Sequence, residues 1–89
     1  MHRVQIKVRG KVQGVGFRWF TQQAAQRYGI TGWVHNLPDG SVEAQAQGQE
    51  EALSSFSKEI KSGHPYARVE SFESHEIALQ KTEERFIIR

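Results

Sequence analysis

The sequence predicts an α+β fold whose elements follow the order βαββαβ. Three observations predict it. The chain opens on an apolar-polar alternation of period two, it carries two stretches with helical spacing of apolar residues, and between them two strand-like runs are joined by a Pro-Asp-Gly turn.

Val4, Ile6 and Val8 alternate with Arg3, Gln5, Lys7 and Arg9, the pattern of a strand with one buried face that ends near Gly10. Phe17, Phe20, Thr21, Ala24, Ala25 and Tyr28 then recur at helical spacing, and Gly29 supplies the stop. GITGWVHN and SVEAQAQG flank LPDG, in which Pro38 fixes φ and Gly40 accepts a positive one, so they read as a hairpin. Ala52, Leu53, Phe56 and Ile60 mark a second helix that ends at SGHP. Glu50 and Glu51 lie in its first turn and Lys58 and Lys61 in its last, as the helix dipole favours. RVESFESHEI is a strand whose imperfect alternation suggests a bulge, and RFIIR closes the chain as a short final strand. Two right-handed crossovers then place both helices on one face of an antiparallel sheet, the ferredoxin-like arrangement. With 89 residues and no linker or repeat, residues 1–89 are expected to form one domain.

Composition narrows the setting. The chain has no cysteine, which removes disulfides and thiolate chemistry and allows a cytoplasmic location. Its alternating start and lack of a long apolar run argue against a signal peptide or a membrane partner. Charge is uneven. Met1 to Pro38 holds six cations (Arg3, Lys7, Arg9, Lys11, Arg18 and Arg27) and no acid, so this part looks suited to an anion.

The stretch GKVQGVGFRWF focuses that expectation. A helix N-terminus carries partial positive charge, so Arg18 in its first turn should cost about 0.3–1 kcal/mol. An anion would remove the misfit. Gly14 and Gly16 permit positive φ and close approach, so the N–H groups of Gln13, Gly14, Val15, Gly16, Phe17 and Arg18 could converge as a phosphate-binding loop. The planar guanidinium of Arg18 matches two phosphate oxygens. The plainer alternative is a strand-to-helix turn whose arginine points to water. Other phosphate loops do not fit: GVGFRW lacks the third glycine of the dinucleotide fingerprint, and no Gly-Lys-Ser/Thr follows.

Conventional catalytic groups are missing. His2, His35, His64 and His75 have no metal-ligand spacing, and no serine follows nucleophile-elbow spacing. No metal or cofactor is expected. Asn36, at the end of GWVHN, stands out beside the hairpin turn, where it can equally serve as a turn-favouring residue. Trp19 and Trp33 could be core anchors, partner contacts or packing around a substrate, with packing favoured, and Thr21, Gly32 and Asp39 read as helix, strand-entry and turn residues without a chemical duty.

VRGKVQGVGFR, AAQRYGITGWVHN and LPDGSVEAQAQG together closely resemble acylphosphatases, small enzymes that hydrolyse the carboxyl-phosphate bond, and the resemblance continues through SGHPYARVE to RFIIR. It implies that Arg18 binds phosphate and that Asn36 positions the attacking water. His35 departs from the arginine more common there. Strand alternation turns it away from the Asn36 face, so it is read as tuning local charge. The implied substrate is a small acyl phosphate such as acetyl, carbamoyl or benzoyl phosphate, with inorganic phosphate as product and competing ligand. Its carboxylate leaving group, with a pKa of roughly 4.3, needs no general acid. Phosphoryl transfer relies on positioning and cationic stabilisation, so in-line water attack without metal or phosphoenzyme is expected. The chain is expected to act as a monomer. Two alternatives remain: a phosphate-binding module without turnover, and an RNA-binding ferredoxin-like domain, for which the rings should lie on the sheet and not on a helix. No nucleic-acid partner is therefore expected.

Overall fold

The computed structural model describes residues 1–81 and 83–89. Alternation in strand β1 (His2–Lys11) sorts its residues between two surfaces. Ile6 and Val8 are buried on the side that the helices α1 (Phe17–Arg27) and α2 (Glu50–Ser62) cover. Val34 of β2 (Thr31–Asn36) and Val42, Ala44 and Ala46 of β3 (Val42–Gly48) extend the same apolar surface. Phe17, Ala24 and Ala25 from α1 and Leu53, Phe56 and Ile60 from α2 close over it, one stripe from each helix.

Strand β4 (Arg68–Ile77) and strand β5 (Phe86–Ile88) complete a five-stranded sheet in the order β4-β1-β3-β2-β5. The first four strands pair antiparallel, which is the ferredoxin-like arrangement. The bulge lies in β4. Arg9 pairs with Ser71 and Gly10 with Val69, leaving Glu70 as the extra residue. The antiparallel expectation does not extend to β5, which runs parallel to β2 with Gly32 opposite Phe86 and Val34 opposite Ile88, so the sheet is mixed.

That last pairing has a physical consequence. The chain leaves β4 at one edge of the sheet and must reach the other edge, so it crosses the face that the helices leave open. Gln80 exchanges two hydrogen bonds with the Gln47 side chain, at 2.8 and 2.9 Å. Glu83 accepts two from the Arg3 guanidinium, at 2.6 and 3.1 Å. Arg3 also donates to Gln45 and Gln47 and is only 1% exposed. A buried cation requires such saturation.

Candidate active site

Gly14 and Gly16 both adopt left-handed backbone, with φ of 76° and 75°. Open space surrounds the position a Cβ would occupy at each, so backbone conformation and not crowding favours glycine there. Gly16 is also the N-cap of α1 and offers no side chain to its amides, and the first turn holds no acid. Helix bonding starts with Phe20 N–H donating to Gly16 O at 3.0 Å. The N–H groups of Gly14 to Trp19 find no acceptor among the described residues.

Arg18 is half-buried beside these amides and forms no ion pair among the described residues. Its setting differs from that of most cations in the N-terminal segment. Arg3 is matched to Glu83, Lys7 and Arg9 to Asp39, and Arg27 to Glu59. The run of cations is therefore not one anion-facing patch, as its acid-free sequence suggested, but is largely neutralised by acids later in the chain.

Asn36 comes to the same place from the end of β2. Its Oδ1 is buried without a hydrogen-bond partner, one of two such side-chain oxygens among the described residues; the other, Ser71 Oγ, lies beside the β4 bulge. An unsatisfied buried carbonyl costs about 1–3 kcal/mol, so a partner from outside the chain is favoured. Gln13, Gly14, Gly16, Phe17, Arg18 and Asn36 line one cavity of about 210 Å³, joined by Val12, Trp19 and Ile88. Val15, the remaining loop residue, packs its side chain against the core instead.

The side chain of Gln13 has a duty that sequence did not suggest. Its Nε2 donates to Leu37 O and Ser41 O, both at 2.9 Å, bracketing the turn that follows Asn36. The acceptors lie 24 and 28 residues away, so no local pattern could signal them. Ile88 is likewise brought to the cavity only by the parallel docking of β5.

The remaining sequence candidates are dispersed. His35 lies on the open sheet face with its Nε2 2.8 Å from Glu43 Oε1, so its ring is engaged there and not at the loop. Trp33 occupies the same face between His35 and Arg89, whose guanidinium sits 4.6 Å from the ring centroid. Trp19 is 62% exposed, which removes the core-anchor reading. Phe17 is buried in the helix-covered core and Phe20 packs against it. His2 contacts Glu76, and His64 Nδ1 accepts from the N–H groups of Tyr66 and Ala67. Among the described residues no three acids or histidines converge to hold a metal, and no helix is long and apolar enough to cross a membrane.

The sequence model of the acylphosphatase family matches residues 4–88. The chain belongs to that family. It is 47% identical over 79 residues to an acylphosphatase of Oceanobacillus iheyensis, a match covering 88% of this chain and 87% of the relative. To an acylphosphatase of Clostridium acetobutylicum it is 44% identical over 88 residues, covering 99% and 97%. The crystal structure of acylphosphatase from Bacillus subtilis superposes with a TM-score of 0.95 at 42% identity, covering 100% of this chain and 99% of the other. Acylphosphatase membership makes the chain a hydrolase acting on acyl phosphates, and neither the module without turnover nor the RNA-binding domain is favoured.

Proposed function

We propose that the loop from Gln13 to Arg18 and the facing Asn36 form the active site for hydrolysis of small acyl phosphates. The observation that carries this reading is that amides, an arginine and a carboxamide oxygen, none with a partner among the described residues, border one cavity. The amides and Arg18 hold the phosphoryl oxygens. Their donors match the charge that develops on those oxygens in a loose transition state, so they act most strongly during the reaction. Asn36 accepts a hydrogen bond from the attacking water while adding no negative charge to repel the phosphate.

Water oxygen attacks phosphorus in line as the bond from phosphorus to the acyl oxygen breaks. The departing carboxylate takes the bonding electrons. The water proton passes to a phosphate oxygen, so acyl phosphate dianion and water yield a carboxylate and dihydrogen phosphate. No protein nucleophile, general acid or metal is required by this scheme, because the leaving group is already a weak base.

Residues 1–89 act in this reading as one monomeric domain in the cytoplasm, a compartment compatible with a chain that lacks cysteine. Sedimentation at the mass of one chain is the expected result. The deciding experiment is turnover of benzoyl phosphate in chelator-treated buffer by wild type and by Asn36→Ala. A folded Asn36→Ala protein with near-normal kcat would remove Asn36 from the water-positioning role.

A further inference from the structure

His64 differs from the other three histidines in what it meets. His2 and His35 each contact a glutamate, and His75 is exposed. His64 forms no ion pair among the described residues. Its Nδ1 accepts from the N–H groups of Tyr66 and Ala67, both at 3.0 Å, and its ring centroid stands 5.0 Å from that of Phe20 and 6.2 Å from that of Phe17. The turn that carries it lies hard against α1, since a Cβ added to Gly63 would sit 3.1 Å from Phe20 Cζ.

Those two phenylalanines define the first turn of α1. Phe17 is 2% exposed, borders the cavity that holds Arg18 and Asn36, and supplies one of the amides that lack an acceptor among the described residues. Phe20 N–H makes the first helical hydrogen bond, to Gly16 O. Whatever fixes these rings also fixes where the neighbouring amides point. We infer that His64, in its neutral form, is a positioning residue for the loop from Gln13 to Arg18, acting through the rings of Phe17 and Phe20. The inference rests on the reading of that loop given above.

Two N–H groups directed at Nδ1 require that nitrogen to be unprotonated, with the ring hydrogen on Nε2. A proton on Nδ1 turns the acceptor into a donor, so both N–H groups lose their partner and the ring loses the bonds that hold it in place. The contribution is present at neutral pH and lost as pH falls through the range in which imidazoles change charge, from about 8 to 5. Charged groups on the packed elements are engaged elsewhere. On α2, Glu59 is bound by Arg27 and Tyr28, and Lys61 lies 5.0 Å from the Phe72 ring centroid. Arg18 of α1 borders the cavity, and Arg68 opens β4 in solvent. The remaining titratable neighbour is the phenol of Tyr66, whose ring centroid is 6.2 Å away.

The test measures kcat/KM for benzoyl phosphate and the Kd of sulfate at about pH 7.5 and about pH 5.5 in wild type, His64→Ala and His64→Asn, with thermal unfolding as a check on folding. Comparing each variant with wild type at the same pH cancels titration of the substrate, and sulfate stays a dianion throughout. At the higher pH His64→Ala should lose roughly three- to tenfold in kcat/KM and in sulfate affinity. At the lower pH the gap should close to within about twofold, because the proton does to wild type what truncation does to the variant. His64→Asn, whose Oδ1 can accept from the same two N–H groups without titrating, should fall between wild type and His64→Ala at the higher pH and above wild type at the lower. A gap to His64→Ala below about twofold at the higher pH, or one equal at both, overturns the positioning role while leaving the reaction intact. Should His64→Ala not fold, the crossing of wild type and His64→Asn decides alone, and its absence overturns the role. Wild type that neither hydrolyses benzoyl phosphate nor binds sulfate instead overturns the underlying reading, and this one with it.

Discussion

Arg3 and Arg18 are the same side chain in opposite circumstances. Arg3 is sealed beneath the crossing chain with Gln45, Gln47 and Glu83 as acceptors. Arg18 stands half-open at a helix end that already carries partial positive charge, with no ion pair among the described residues. A saturated arginine holds a fold together because removing it orphans its partners. An unsaturated one in an unfavourable field weakens the empty protein and binds an anion well for the same reason. The two helices repeat the lesson: α2 carries Glu50 and Glu51 in its first turn, while α1 carries no acid there.

The contrast breaks most decisively at Arg18 and Asn36. Replacing either with Ala should raise the barrier to acyl phosphate hydrolysis by at least ~3 kcal/mol, roughly a hundredfold or more in kcat/KM, with the fold retained. Steady-state kinetics with unfolding curves for both variants make the comparison. Arg3→Ala should behave in the opposite sense, losing about 3 kcal/mol of stability in urea titration while folded molecules keep most of their kcat. Equal effects of the two arginines on stability would erase the distinction.

An anion should close the gap between them. Inorganic phosphate at about 100 times its Kd should stabilise wild type by about 2.7 kcal/mol, and Arg18→Ala should lose most of that gain in a thermal shift titration. A smaller effect sharpens the electrostatic argument. Arg18→Glu exchanges a repelled charge for a favoured one, so the phosphate-free protein should become more stable by about 0.3–1 kcal/mol while activity disappears. Denaturant midpoints measured without phosphate check this.

The weakest expected effect lies in the hairpin turn. The Ser41 hydroxyl and N–H both donate to Asp39, and Lys7 adds attraction, holding its carboxyl at about 2 instead of 3.8. The folded value is the lower one, so this contribution to stability is present above pH 3.8 and fades as pH falls towards about 2. Asp39→Asn should flatten the pH dependence of the unfolding midpoint in that window, by a small amount because the group is open to solvent.

Most of the architecture was legible because it is written in local periods. Alternation in β1, the apolar stripes of both helices and the Pro-Asp-Gly turn each depend on near neighbours. The loop was legible for a related reason, since two glycines and an arginine that offends a helix dipole fall within five residues of one another in GVGFR. What escaped depends on distance along the chain. Arg3 reads as an ordinary solvent-facing strand residue until Glu83, 80 positions away, is laid across it. The parallel pairing of β5 escaped likewise, because three residues of strand carry no mark of their partner or direction. Trp19 was legible only in part, because aromatic character left a core place and a place beside the cavity both open, and only its position on α1, mostly in solvent, removes the first.

Gln13 links two parts of the site that sequence keeps separate. One amide group spans Leu37 O and Ser41 O, so the loop that precedes α1 and the turn that follows Asn36 are braced as a single frame. In the proposed site, the spacing between the loop and Asn36 is then held by a strut. On the proposed reading, the hairpin turn becomes a remote dial on turnover, since lengthening it by a residue should shift Asn36 relative to the loop without replacing a residue of either.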